Sequence, residues 1–295
     1  NRFNYQSGIM IRRILVPVDN SPASLAALHV ASEVSRLARA TLVGVYVADG
    51  RRFSHLSLGQ ALASSVGLAP PIPSPLPPDQ LDKVQLEIEE EIKTASGHFY
   101  DHCHRARIRG QFQSRSGIPH EEIATVARTV DMIVMGNRGA HIGVEFAEAG
   151  STIAAVLRES TRPTLIVPES AAGAERMLIA YDGTAPSERA LRCGAELASL
   201  TEIKDVHVIT VTYEENEAAA IGNSVGEYLR AYEREVTFVA KPGNPTTEIL
   251  NYAHEIEATI LVMGAFHLGE LSGAVLGSNT QSVLKSADVA GLLVS

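Results

Sequence analysis

Two glycine-bearing loops hold the residues best placed to do chemistry. In the first, the apolar run Met132–Met135 leads into Gly136-Asn-Arg138-Gly139; a loop then reaches Gly150-Ser151-Thr152, ahead of a helical pattern at Ile153–Leu157. In the second, Thr259–Met263 leads into Gly264-Ala-Phe-His267, and a loop reaches Gly277-Ser278-Asn279. Glycines let a backbone come close to a phosphate, and a helix start adds unpaired N–H donors and the positive end of its dipole. The chemistry indicated is phosphate binding. A tight strand-to-helix connection uses the same glycines, and a single loop does not separate the two readings. Recurrence of V-M-G with a G-S thirteen or fourteen positions on argues for two copies of one domain.

The elements that must position these loops also repeat. Ile11–Asp19 reads as a buried strand ending at a carboxylate, and Ser21-Pro22 as a helix start, a hydroxyl cap followed by proline. Ala23, Ala27, Val30, Val34 and Leu37 then give one apolar helix face. Thr41–Val47 is a second near-continuous apolar strand, as in a parallel sheet covered on both sides. Residues 50–78 form a proline-rich excursion, and a helix follows from Asp79 to about Arg105. Ile108–Ser116 is a weaker strand, Gly117-Ile-Pro119 opens a helix, and Arg162–Pro168 is the last strand of the half. Met177–Asp182, Thr184-Ala-Pro186, Val206–Val211, a short acidic excursion (Glu214, Glu215, Glu217), Val236–Ala240, Gly243-Asn-Pro245, Ala258–Met263 and Gly291–Ser295 replay that order. The fold class predicted is α/β: two tandem, doubly wound, five-stranded parallel sheets. The domains expected are 10–169 and 176–295, with a small polar linker at 170–175.

Totals agree with this. The chain has 295 residues, 45% hydrophobic and 20% charged, which suffices for two cores. A net charge of −9 repels nucleic acid and anionic lipid, so neither is an expected partner. No apolar run reaches membrane-spanning length, and Asn1–Ile9, ahead of Met10, does not read as a secretory signal. Cys103 and Cys193, one per half with no CxxC, fit a reducing cytoplasm and read as small core hydrophobes. His98 and His102 are one helical turn apart, a spacing open to metal. No clear third and fourth ligands are marked in His98-Phe-Tyr-Asp101-His102-Cys103-His104, and helix C-termini favour histidine in any case.

The doubled loop resembles the nucleotide-binding signature of the universal stress protein family, G-x2-G-x9-G-[S/T]. The first copy keeps Gly136 and Gly139 but has ten residues before Gly150. The second keeps the spacing to Gly277-Ser278 but has His267 in place of the second glycine. The resemblance covers the chain from Ile11 onward and implies strand order 3-2-1-4-5 in each half. Ligands of such sheets bind where that order reverses, between strands one and four. Asp19 and Gly136 would therefore face one another, as would Asp182 and Gly264. Carried over position by position, Pro17, Val18 and Asp19 would meet the adenosine end, with Val47 lining an adenine pocket. Met135, Gly136, Gly139, Gly150, Ser151 and Thr152 would wrap sugar and phosphates, and Arg138 could pair a phosphate. The counterparts are Asp182, Val211, Met263, Gly264, Gly277, Ser278 and Asn279, with His267 able to donate one hydrogen bond.

The resemblance implies an adenine nucleotide, ATP or AMP, in a stress-response or regulatory protein; Mg2+ could accompany it, offsetting the charge of Glu145 and Glu148. The competing reading is a scaffold that has lost nucleotide and works through protein contacts. Efficient phosphoryl transfer is not expected, because neither loop carries a lysine and no G-x4-G-K-[ST] or G-x-S-x-G occurs; slow ATP hydrolysis is a minor alternative. The string His141-Ile-Gly143 sits after strand four, the wrong place for a nucleotidyl-transferase signature. Of the two loops, the first is the expected binder, because a one-residue bulge is absorbed more easily than a side chain at a glycine position. The short strands Thr164–Val167 and Leu292–Val294 would leave exposed edges unless they join the halves as an intramolecular pseudo-dimer, with a homodimer of whole chains as a further level of association.

Overall fold

The computed structural model describes residues 11–55, 74–139, 151–170, 175–232, 236–267, 275–276 and 289–294. The first half runs β1 (Arg13–Pro17), α1 (Pro22–Ala38), β2 (Thr41–Asp49), α2 (Pro78–Ala106), β3 (Gly110–Gly117), α3 (Pro119–Ala127), β4 (Met132–Gly136), α4 (Ser151–Glu159) and β5 (Thr164–Val167). The second runs β6 (Arg176–Ala180), α5 (Ala185–Thr201), β7 (Asp205–Val211), α6 (Glu215–Arg230), β8 (Val236–Lys241), α7 (Pro245–Glu255), β9 (Ile260–Gly264) and β10 (Ala290–Val294).

All ten strands form one sheet, in the order β8-β7-β6-β9-β10-β5-β4-β1-β2-β3. Each half is parallel throughout with strand order 3-2-1-4-5, as the resemblance implies. The halves meet at β5 and β10, which pair antiparallel with Leu292 opposite Leu165 and Leu293 opposite Thr164. Strand direction therefore reverses at that seam, and the carboxyl ends of the two halves lie on opposite sides of the molecule.

Strand alternation sends successive side chains to opposite faces. Ile14, Val16 and Val18 enter one core with α1, α2, α5 and α6. Leu15 enters the other, with α3, α4 and α7. Each core contains residues of both halves, so apolar packing crosses the seam on both faces. The two outermost strands differ from the rest: β3 (GQFQSRSG) is half-exposed along its length, which is why its sequence reads as a weaker strand.

Helix starts follow their caps. The Ser21 side chain accepts from Ser24 N at α1, Thr184 from Ser187 N at α5, and Asn244 from Thr247 N at α7, each with a proline in the first turn. Two local expectations need correction. Leu37 is 38% exposed; the buried face of α1 comprises Ala23, Ser24, Ala27, Leu28, Ala31, Ser32, Val34 and Ser35, and Leu37 falls in the last turn, beside the left-handed cap at Arg39. The acidic stretch at Glu214–Glu217 is no excursion but the start of α6, sixteen residues long, with Glu215 and Glu217 in its first turn, where the dipole favours them. The proline-rich segment opens with one 3-10 turn, Gly50–Phe53, and the residue pairs Ser54–His55 and Ser74–Pro75 run antiparallel. Its residues 56–73, and 171–174 of the linker, lie outside the described residues.

Candidate functional site

The reversal of strand order falls between β1 and β4, and the chain there folds into a narrow set of contacts. Asp19, just past β1, accepts at Oδ1 from Ser21 N (3.1 Å) and Ser21 Oγ (2.6 Å). Ser21 Oγ also lies 3.3 Å from the Arg138 carbonyl oxygen, which ties the turn after β1 to the turn after β4. Ser24 closes the turn, its Oγ 3.4 Å from Asp19 N and 3.0 Å from Ser21 O. Asn20 between them is left-handed, with φ 64°. A Cβ added at Gly139 would lie 3.0 Å from Asp19 Oδ2. The carboxylate and the second glycine thus meet across the crevice, 120 positions apart in sequence (139 less 19).

Gly136 answers to a different neighbour. A Cβ there would lie 2.6 Å from the Ala23 carbonyl carbon and 2.8 Å from Ser24 N, so this glycine lets β4 pass the first turn of α1. Gly264 does the same in the second half, with Pro186 Cβ at 2.7 Å. Both are required by packing between strand and helix, whatever ligand is present.

The rim of the first crevice is a cluster on β2, the 3-10 turn and α2. Glu91 accepts from Arg52 at 2.7 and 3.1 Å and from the Tyr46 hydroxyl, and its main-chain oxygen accepts from Asn20 Nδ2 at 3.0 Å. Burial first, then the hydrogen bond to Glu91, pushes the Tyr46 hydroxyl well above its ordinary pKa. Tyr46 is therefore a neutral donor near pH 7.

The second half repeats the turn. Asp182 Oδ1 accepts from Thr184 N (3.0 Å) and Thr184 Oγ1 (2.6 Å), and Ser187 Oγ lies 3.4 Å from Asp182 N. Gly183 is left-handed, with φ 77°, where the first half has Asn20. The shared pattern is D-x-[S/T]-x-x-S, at 19–24 and 182–187. Reading Ser21 and Thr184 as helix caps alone misses their bond to the aspartate, although the repeated spacing carries that signal.

The other expected residues are placed as follows. Pro17 ends β1, and Val18 is buried, its N–H bonded to Val45 O at 2.9 Å. Val47 and Val211 are half-buried on β2 and β7, packed on the α3/α7-side core. Met135 and Met263 are 5% and 6% exposed, in the same core. Arg138 and Gly139 are exposed beside Asp19, and Thr152 is half-buried in α4. Gly150, Gly277, Ser278 and Asn279 lie outside the described residues, as do the side chains of Ser151 and His267. The main chain at His267 pairs antiparallel with Val275. His102, elsewhere, has Nδ1 2.9 Å from His98 O, a bond within α2. Cys103 and Cys193 are buried, and burial pushes both thiols up to about 11.

The model of the universal stress protein family matches this chain twice, over residues 10–168 and 173–295. The chain belongs to the universal stress protein family. Its two universal stress protein halves form an intramolecular pseudo-dimer through β5 and β10. It is 26% identical over 164 residues to universal stress protein Slr1230 of Synechocystis, covering 54% of this chain and 56% of that one. The chain thus spans about half the length of this curated relative. A universal stress protein from Archaeoglobus fulgidus has the same fold over 96% of this chain and 98% of its own, at 23% identity and a TM-score of 0.72. A Pseudomonas aeruginosa protein described as functionally unknown matches over 97% and 93%, at 17% identity and a TM-score of 0.59. Among the described residues, no helix is long and apolar enough to cross a membrane.

Proposed function

We propose that the chain is a regulatory or stress-response protein that binds an adenine nucleotide, ATP or AMP, in its first half. The observation that carries this reading is the approach of Gly139 to Asp19 at the reversal point of the strand order. There the turn after β4 is held against the turn after β1 through Ser21 and Arg138. Asp19, Val18 and Val47 supply the nucleoside end. The exposed Arg138 and the start of α4 at Ser151-Thr152 supply positive charge and N–H donors for the phosphates. Binding with ligand-dependent association, and no efficient turnover, suits two loops that carry no lysine in a chain with neither a G-x4-G-K-[ST] nor a G-x-S-x-G sequence.

Two measurements test it. Mass spectrometry of the supernatant of the denatured protein should find ATP or AMP carried through purification. In calorimetry, Gly139→Ala should weaken ATP binding at least about tenfold with the fold unchanged, since among the described residues its methyl meets only a carboxylate oxygen that can shift. Gly136→Val is a poor probe, because it strikes the backbone of α1. An empty supernatant together with no heat from either nucleotide would favour the scaffold reading.

Charge in the loop that follows β4 bears on the companion ion. Glu145 and Glu148 lie outside the described residues, in the stretch that the family resemblance passes by the phosphates; there they would repel a triphosphate more than a monophosphate, and Mg2+ would screen the repulsion. Glu145→Gln with Glu148→Gln should tighten metal-free ATP by roughly tenfold, at about 0.7 kcal/mol per charge, and AMP by less. Titrations of both nucleotides in EDTA and in Mg2+ check this; equal shifts would remove the electrostatic argument.

A further inference from the structure

Strand registers align the two halves residue by residue. Arg13 pairs with Thr41 and Leu15 with Val43 in the first half; Arg176 pairs with Asp205 and Leu178 with His207 in the second. At the edge, Val47 pairs with Arg115 and Val211 with Lys241. Helices α3 and α7 both open at a proline, Pro119 and Pro245, so Val126 corresponds to Tyr252; α7 runs on to Glu255, whereas α3 ends at Ala127 and Thr129 follows it in a turn.

In the second half this location is filled and neutralised from within. Asp205 accepts from the Arg176 guanidinium, which holds its carboxyl below the usual range. His207 bridges Asp205 Oδ1 (2.9 Å) and the Tyr252 hydroxyl (2.8 Å). Lys241 Nζ donates to Glu255 Oε2 at 2.9 Å and stands 4.7 Å over the Tyr252 ring.

The first half keeps the cations and lacks the fillers. Arg13 and Arg115 stand where Arg176 and Lys241 do, but Thr41, Val43 and Val126 hold the positions of Asp205, His207 and Tyr252, and Thr129 follows α3; all four are small and uncharged. A cleft of about 320 Å³ remains, lined by Arg13, Val43, Gln113, Arg115, Val126 and Thr129 among others. The Nε atoms of Arg13 and Arg115 are both buried and meet no acceptor among the described residues. A buried guanidinium N–H without an acceptor is costly, and native proteins seldom leave two in one place. The nearby carboxylates do not serve them. Asp131 Oδ2 takes the main-chain N–H groups of Arg12 and Arg13 at 2.8 and 2.9 Å. Glu122 Oε2 takes Arg115 Nη1 at 3.3 Å, and Gln113 Oε1 lies 3.4 Å from Arg115 Nη2.

We propose that the cleft between β3 and α3 binds a small doubly charged oxyanion, a short dicarboxylate or a phosphate, whose oxygens stand where the second half places the carboxylates of Asp205 and Glu255. Two arginines offer forked donors to such oxygens. The volume, roughly that of ten waters at about 30 Å³ each, admits a four-carbon diacid. Arg13 stands at the opposite end of β1 from Asp19, about 20 Å away at strand rise, while Arg115 pairs in register with Val47, so the Arg13 end of the cleft is the part remote from the proposed nucleotide crevice.

The test uses the full chain, with succinate and inorganic phosphate titrated separately by calorimetry and by melting temperature. At least one of them should bind with a dissociation constant below about 1 mM, and which one does identifies the source of the oxyanion. Arg13→Gln and Arg115→Gln should each weaken binding at least tenfold. Should either variant fail to fold, Thr129→Glu decides instead: it puts a carboxylate into the cleft that Thr129 lines, and should abolish binding with the melting temperature kept or raised. Gly139→Ala should leave binding unchanged. Absence of heat and of any melting shift with both anions at about 10 mM would overturn the proposal. So would binding that survives Thr129→Glu, or phosphate binding lost in Gly139→Ala, which would belong to the crevice between β1 and β4.

Discussion

At the scale of single residues, the two halves solve one turn with different chemistry. Asn20 and Gly183 both take left-handed backbone, φ 64° and 77°, immediately after the aspartate that follows the first strand of each half. Glycine enters that region without strain, and asparagine enters it more readily than most side chains. Asn20 is further held by its Nδ2 bond to Glu91 O at 3.0 Å, while its Oδ1 is buried without a partner among the described residues. Asn20→Gly should therefore change stability by less than about 1 kcal/mol, whereas Asn20→Val, branched at Cβ, should cost about 2 kcal/mol. Urea midpoints of both variants check this; equal effects would show that the backbone conformation does not set the cost. Glycine at the turn after β4 was legible in the sequence, but its reasons were not. Gly136 and Gly139 sit three apart in one motif, yet the first accommodates the backbone of α1 and the second the side chain of Asp19. Sequence shows only that a Cβ is missing, and not which neighbour would have met it.

At the scale of elements, apolar runs made the inner strands easy to read, since a strand buried on both faces has no polar positions to interrupt it. Strand β3 and helix α6 were harder for the converse reason. An edge strand with one solvated face mixes Gln, Ser and Arg into its run, and α6 opens on glutamates that look like loop until the dipole above them is considered. The partners of the closed location in the second half were not legible. Asp205 and His207 share a face by strand alternation, but Tyr252 arrives from another element 45 positions on. Such clusters become visible only once the register of β6, β7 and α7 is known. The crevice between β1 and β4 was more accessible, because strand order 3-2-1-4-5, implied by the family resemblance, brings Asp19 and the glycine turn together without reference to any side-chain contact.

At the scale of the whole molecule, the seam between β5 and β10 converts two exposed sheet edges into internal pairing, with Leu165, Ile166, Leu292 and Leu293 all at most 3% exposed. Either half alone would present that strand to solvent. Residues 10–169 and 176–295, expressed separately, should each self-associate in a concentration-dependent way, and mixing them should restore a one-to-one complex. Sedimentation of each half and of the mixture reads this directly; two halves that stay monomeric and fully folded at high concentration would contradict it. The same seam has a consequence for how the molecule can change. A homodimer carries every substitution twice, once on each side of its two-fold axis, so nothing can be gained on one side without being imposed on the other. Here the two sides are encoded separately, and histidine at 207 imposes nothing on position 43. One half can plug a cleft that the other keeps open, and left-handed glycine at 183 can coexist with asparagine at 20. Joining the halves in one chain preserves the geometry of a symmetric pair while releasing its members from being identical.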